Sequence, residues 1–128
     1  MEKFPKSERL CSRKAIGSLF SDGNTLFHHP FRLLWTGSGE EGRAASARIA
    51  ISVPRKKFRK ASDRNHIKRL IRESYRRNKG IVLDSLEASG SNIDIMIIYV
   101  SDRLYDYDHI DLKLKEILKE LVTAYENC

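Results

Sequence analysis

The chain has 128 residues, 41% hydrophobic and 32% charged, which suits one compact domain and leaves too little length for a second independent core. Its most apolar stretch, Ile93 to Val100, is interrupted by Asp94 and is far shorter than the roughly 18 residues of a membrane-spanning helix; the charged opening MEKFPKSERLCSRK lacks the apolar centre of a secretory signal. Cys11 and Cys128 show no CxxC or Cys/His spacing, so neither a disulfide framework nor a zinc knuckle is expected, and the chain reads as a cytoplasmic protein with no membrane partner.

From the N-terminus, Ser12 is placed to cap a helix in which Ala15, Ile16, Leu19 and Phe20 recur at helical spacing, and Gly23 offers the left-handed residue that commonly ends one. The polar stretch Asn24 to Pro30 reads as a connection. Phe31 to Thr36 is rich in aromatic and aliphatic residues and stops at Gly37-Ser38-Gly39-Glu40-Glu41-Gly42, which suits a hairpin into Ala47 to Val53. There Ile49, Ile51 and Val53 fall on one face and Arg48, Ala50 and Ser52 on the other, so both segments are expected as antiparallel strands. Pro54, with no N–H to donate, ends the second strand. A helix opening at Ser62 or Asp63 carries the apolar stripe Ile67, Leu70, Ile71 and Tyr75 and stops around Asn78-Lys79-Gly80. The polar segment Ser89-Gly90-Ser91-Asn92 leads into a buried strand from Ile93 to Val100, and Ile110, Leu114, Ile117, Leu118, Leu121, Val122 and Tyr125 mark a last helix with one face on the sheet. The expected order is helix, two or more strands, helix, strand, helix.

Charge is concentrated in one segment. Between Arg55 and Lys79 stand twelve basic and two acidic residues, a local net charge of +10 in a chain of net +7, so the remainder is mildly acidic. Such crowding opposes folding unless a polyanion relieves it; the alternative, a solvated charged surface, usually mixes its signs. At helical spacing Arg64, Lys68, Arg72 and Arg76 form one ridge, with Asn65 and Arg69 in the adjacent row. Like charges so placed weaken a helix by roughly 0.2–0.5 kcal/mol per pair, and Glu73 is positioned to relieve only Arg69 or Arg77. Arginine offers phosphate a planar fork, lysine a mobile point charge, and Asn65 can donate to and accept from a nucleotide. Arg55 to Lys60 contributes five more cations. Strands flanking the basic helix argue against a helix-turn-helix and for RNA over duplex DNA. Phe20, Phe27, Phe31, Trp35 and Phe58 offer rings on which unpaired bases could stack, with the core as the alternative destination of each.

The stretch FRKASDRNHIKRLIRE, Phe58 to Glu73, resembles the signature of the bacterial ribonuclease P protein subunit, a basic helix built on Arg-Asn-Arg followed by Lys-Arg and a further Arg. Ala61, Arg64, Asn65, Lys68, Arg69 and Arg72 stand at that family's spacing, and ISVPRKKF resembles its strand leading into the helix. The resemblance implies an α+β fold: a two-layer sandwich of a central, mostly antiparallel sheet with helices, similar to a domain of ribosomal protein S5, in the order α-β-β-(β)-α-β-α with a left-handed crossover at the basic helix. It implies the small subunit of a ribonucleoprotein whose catalytic RNA removes the 5′ leader of precursor tRNA. Magnesium would be held mainly by the RNA, the protein would supply no catalytic residue, metal site or organic cofactor, and one protein monomer would serve one RNA. On this likeness Lys56, Lys57, Lys60, Arg64, Asn65, Lys68, Arg69 and Arg72 contact the catalytic RNA. A cleft between the first helix and the sheet would hold the single-stranded leader at Ile16, Phe20 and Leu34, of which Phe20 is the best stacking candidate. His66 stands where the family has the second Arg of its motif; a neutral imidazole lacks the permanent charge and the fork, and a structural or exposed histidine is the alternative.

Two rivals remain at this level. One is a general or ribosome-associated RNA-binding module without a role in tRNA processing. The other is a protein-only nuclease built on Asp102, Asp106, Asp108 and Asp111, although acids just before a helix equally suit its dipole and entry turn. His28-His29 lacks a third ligand in sequence, and no Ser/His/Asp set, P-loop or GxGxxG is present.

Overall fold

The computed structural model describes residues 9–10, 13–37, 47–90 and 92–126. In chain order the elements are α1 (Arg13–Asp22), β1 (Asn24–His28), β2 (Phe31–Gly37), β3 (Ala47–Ser52), α2 (Ala61–Asn78), α3 (Gly80–Ser89), β4 (Ile93–Tyr99) and α4 (Tyr107–Glu126). The four strands lie in the order β1-β2-β4-β3. β1 with β2 and β2 with β4 are antiparallel, whereas β3 with β4 is parallel. The fold is therefore α+β on a mixed, mostly antiparallel sheet, with the basic helix inside the crossover that joins the two parallel strands.

β4 explains the layering. Its sequence IDIMIIY is apolar on both faces, as a central strand covered from both sides requires. Toward one face Ile93, Ile95, Ile97 and Tyr99 join Leu33, Trp35, Ile49 and the buried stripes of α2, α3 and α4 in the main core. Toward the other, Met96 joins Leu34, Leu10 and Leu19, with Ile16, Ala50 and Ile98 packed around them, so α1 covers the second face. The layer formed by the sheet and α2–α4 is thus supplemented by one helix opposite. Asp94, the acid that breaks the apolar run, is buried but meets its register partner Arg48, which donates through Nε to Oδ1 at 3.0 Å and through Nη2 to Oδ2 at 3.1 Å. A two-pronged pair of this kind offsets much of the cost of burying the carboxylate.

Several local expectations are corrected. Phe31–Thr36 and Ala47–Val53 do not form a hairpin, because β4 lies between β2 and β3, and β3 is not antiparallel to its neighbour. The hairpin is instead β1–β2, turning at His29 and Pro30, and the polar stretch expected as a connection is its first strand. In β1, Leu26 packs toward the main core while Thr25 and Phe27 are exposed, an alternation too short to stand out without its partner. Gly23 has no positive φ; its N–H bonds the Leu19 carbonyl at 3.1 Å, and a Cβ there would lie 2.3 Å from that oxygen. Ser12 and the glycine-rich segment 38–46 lie outside the described residues. α2 opens at Ala61, with Lys60 at its N-cap and no side-chain cap, so Ser62 and Asp63 fall within the first turn. At its other end Lys79 keeps right-handed helical geometry, and α3 begins at once at Gly80, burying Val82 and Leu86. Gly90, at φ 69°, is the left-handed stop, and its N–H reaches the carbonyls of Leu86 and Glu87.

Candidate nucleic-acid interface

Between β3 and α2 the chain makes a tight turn in which the Pro54 carbonyl accepts from the N–H groups of Lys57 at 3.1 Å and Phe58 at 3.4 Å. The turn leaves Arg55, Lys56 and Lys57 exposed, while Phe58 is buried with its ring centroid 5.9 Å from that of Tyr99. Arg59 and Lys60 are again exposed. In α2 the buried residues Ile67, Ile71, Ser74 and Tyr75 fix which side faces the core. Asn65, His66, Arg69 and Arg72 consequently face solvent, with Arg64 and Lys68 half-buried on the flank. The loop and α2 as far as Arg72 therefore bring together Lys56, Lys57, Lys60, Arg64, Asn65, Lys68, Arg69 and Arg72. Arg55, Lys56 and Arg59 line a hollow of about 480 Å³ in the same loop.

Compensation of this charge is uneven. Arg64 Nη1 donates to the carbonyl oxygens of Phe58 at 2.8 Å and Arg59 at 2.9 Å, so its positive charge is tethered without being neutralised. Among the described residues no carboxylate lies within ion-pair distance of Lys68, Arg69 or Arg72. Arg76, expected on the ridge, is instead paired with Glu73 at 2.7 Å, and Arg77 reaches the same carboxylate at 3.1 Å. Glu73 thus relieves Arg76 and Arg77, and not Arg69, although Arg69 stands at the equivalent i−4 spacing. The hydrogen bond from Arg76, reinforced by the charges of Arg76 and Arg77, holds the Glu73 carboxyl below its ordinary range despite partial desolvation.

The second sheet face carries the other expected site. Phe20 on α1 is 63% exposed, Ile16 is half-buried, and Leu34 is only 7% exposed beneath α1. Of these three, Phe20 alone presents a free ring. Phe27 on β1, 60% exposed, presents another, beside its exposed cross-strand partner Arg32. The register continues from Arg32 to Ile98 and from Ile98 to Ser52, so this row crosses the sheet and ends two residues before Pro54. At about 4.8 Å per strand it spans roughly 14 Å. Arg32 lies in a strand expected from sequence, but its place beside Phe27 depends on β1, which no sequence pattern marks. Phe31, Trp35 and Phe58 are buried.

The aspartates near α4 serve separate structural ends. Asp106 Oδ1 accepts from the His109 N–H at 2.9 Å, an N-cap bond. Asp111 Oδ1 accepts from Ser74 Oγ at 2.7 Å and Asn78 Nδ2 at 2.8 Å, and its Oδ2 meets Lys115 at 3.0 Å. Burial raises the Asp111 carboxyl, but the hydrogen bonds of Ser74, Lys115 and Asn78 outweigh it and hold the group below the ordinary range. Asp102 and Asp108 are exposed. His28 is engaged by Glu116 and Glu120 of α4, tying the edge strand β1 to that helix.

Known proteins resemble this chain in sequence and fold. The family described as Ribonuclease P matches residues 4–122. The ribonuclease P protein component of Porphyromonas gingivalis is 37% identical over 113 residues, covering 88% of this chain and 82% of its own, and that of Thermotoga maritima is 31% identical over 125 residues, covering 94% and 97%. The solved RNase P protein from Thermotoga maritima superposes with a TM-score of 0.70 at 31% identity, covering 88% of this chain and 96% of that one. An RNase P protein of Staphylococcus aureus, at 21% identity, shares the fold with a TM-score of 0.70. With the match spanning nearly the whole chain and including the basic loop and α2, the chain belongs to the ribonuclease P protein family.

Proposed function

We propose that the protein is the RNA-binding subunit of a ribonuclease P ribonucleoprotein and assists removal of the 5′ leader from precursor tRNA. The observation that carries this reading is the exposed face of α2 as far as Arg72, where Lys68, Arg69 and Arg72, in the stretch that resembles the family's signature, have no carboxylate partner among the described residues. With Lys56, Lys57, Lys60, Arg64 and Asn65 they form a surface suited to phosphodiesters of the catalytic RNA. On the opposite sheet face Phe20, flanked by Ile16 above the buried Leu34, offers the leader a stacking ring. Phe27 and Arg32 extend that track toward the basic loop.

The chemistry belongs to the RNA and to magnesium held mainly by it. The protein binds both RNAs, neutralises phosphate repulsion where they meet, and so raises affinity for substrate and for RNA-bound magnesium. One protein monomer per catalytic RNA, in the cytoplasm, fits this role. The test is cleavage of precursor tRNA by the cognate catalytic RNA at low magnesium, with and without the protein. Addition of the protein is expected to restore cleavage, and Phe20→Ala to weaken binding of precursor by about 5- to 100-fold, the worth of one stacked base, while leaving mature tRNA unaffected. A general or ribosome-associated RNA-binding module would bind both RNAs and leave cleavage unchanged. Cleavage by protein and magnesium alone, abolished by Asp106→Asn with Asp108→Asn, would instead establish a protein nuclease.

A further inference from the structure

The loop ahead of α2 presents a physical difficulty that its own sequence does not resolve. Arg55, Lys56, Lys57, Arg59 and Lys60 are all exposed and repel one another, and Phe58 is the side chain that anchors them to the core. The usual remedy, a carboxylate, would cancel the charge that a polyanion needs. Arg64 supplies another. Its Nη1 carries two N–H groups and lies at hydrogen-bonding distance from two loop carbonyls, those of Phe58 and Arg59, at 2.8 and 2.9 Å. Carbonyl dipoles fix the guanidinium without neutralising it, so the tether itself adds to the positive field. At the far end of α2 the opposite device operates, with Glu73 fixing Arg76 and Arg77 and offsetting one of their two charges.

We propose that Arg64 is a positioning residue: by holding the carbonyls of Phe58 and Arg59 it shapes the hollow lined by Arg55, Lys56 and Arg59 into a binding site for the RNA sugar-phosphate backbone. The inference deepens the functional reading above and rests on it. It separates Arg64 from Lys68, Arg69 and Arg72, whose action is direct contact. Lysine at position 64 is the discriminating substitution, because it keeps the charge and loses the planar fork.

The experiment measures binding of the full chain to the catalytic RNA across a salt series. It compares the natural sequence, Arg64→Lys, the loop triple variant Arg55→Gln/Lys56→Gln/Arg59→Gln, and their combination. The loop triple is expected to flatten the log–log salt slope by about two to three units, at roughly 0.7–0.9 per phosphate contact. Arg64→Lys, although charge-preserving, is expected to weaken binding about tenfold, the worth of one charge-assisted hydrogen bond, and to flatten the slope by more than one contact. Added to the loop triple it should cost less than about twofold, since coupled residues are not additive. In the free protein the amides of Lys57 and Phe58 should exchange faster in Arg64→Lys while those of Ile67 and Ile71 stay protected, which separates a loosened loop from a damaged fold. Arg64→Lys binding like the natural sequence while the loop triple is impaired overturns the positioning role and leaves the functional reading standing. Full additivity of Arg64→Lys with the loop triple overturns it too. A loop triple that binds normally removes the hollow from the RNA and overturns the positioning role, while the functional reading, carried by Lys68, Arg69 and Arg72, stands.

Discussion

From Glu73 to the C-terminal end of α2, Glu73 holds Arg76 and Arg77, and Ser74 and Asn78 reach across to Asp111 of α4; in the part of α2 before Glu73, Lys68, Arg69 and Arg72 meet no carboxylate among the described residues. The two halves of one helix thus treat similar side chains in opposite ways. Where α2 docks on α4, charge is compensated and polar groups are saturated, as partial burial demands. Where α2 follows the basic loop, like charges stand together at helical spacing and weaken the helix slightly. A surface built for solubility would have been balanced along its whole length. Compensation confined to the docking end marks the uncompensated end as waiting for a counter-charge, and phosphate is the one that arginine and lysine rows fit.

The largest expected effect follows from that contrast. Lys68→Ala/Arg69→Ala/Arg72→Ala should lower affinity for the catalytic RNA on the order of 10³-fold, about 4 kcal/mol for three charge-assisted contacts. The salt slope should flatten by about two to three units. The thermal midpoint should hold or rise, because exposed like charges are removed. Binding titrations in a salt series and a melting curve decide the matter, and a variant that melts early but binds normally would reverse the roles assigned to the two halves.

The docking half should answer in stability. Asp111→Ala strips Ser74 and Asn78 of their shared acceptor and is expected to destabilise the fold by about 1–3 kcal/mol, read by chemical denaturation. Binding of RNA well below the melting temperature should be preserved. The same carboxyl makes a pH prediction. Held below its ordinary range in the folded chain, Asp111 contributes stability that is fully present above the unfolded value of about 3.9 and is lost as pH falls through the lowered folded value. Asp111→Asn should therefore be less stable at neutral pH and lose less on acidification below about pH 4, so the two denaturation profiles converge in acid. Parallel profiles would show that the carboxylate charge contributes nothing beyond the hydrogen-bond geometry.

Legibility followed the length scale of the signal. The stripe Ile67, Leu70, Ile71 and Tyr75 and its cationic counterpart extend over several turns, so both the course of α2 and its exposed face were readable from spacing. So was the run Ile93 to Tyr99, whose composition fits a central strand. β1 and α3 were not. β1 has five residues, and its alternation acquires meaning only against β2; α3 hid behind Gly80, which reads as a stop until Lys79 is seen to keep helical geometry. The parallel pairing of β3 with β4 joins segments separated by two helices, and no local pattern encodes it. At the site, side-chain types and spacing exposed the ridge, whereas the tether from Arg64 to the Phe58 and Arg59 carbonyls depends on how the loop folds back, which side-chain spacing does not show.

Arg76 offers the finest test of where the two halves meet. It continues the i, i+4 ridge of Arg64, Lys68 and Arg72, yet its guanidinium is engaged by Glu73 through Nη2 at 2.7 Å and Nε at 3.2 Å. A guanidinium so held has fewer donors to offer phosphate, and its charge is partly offset by an adjacent anion that Arg77 shares. Arg76→Gln should therefore change RNA affinity much less than Arg72→Gln, and it should leave the salt slope almost unchanged. Stability should shift little, because partly exposed ion pairs contribute little and Arg77 still reaches the same carboxylate. Glu73→Gln supplies the converse: freeing Arg76 and Arg77 from their shared anion should strengthen RNA binding modestly and steepen its salt dependence. If Arg76→Gln instead weakens binding as much as Arg72→Gln does, Glu73 yields its partner to the RNA, and the cationic surface runs the full length of α2.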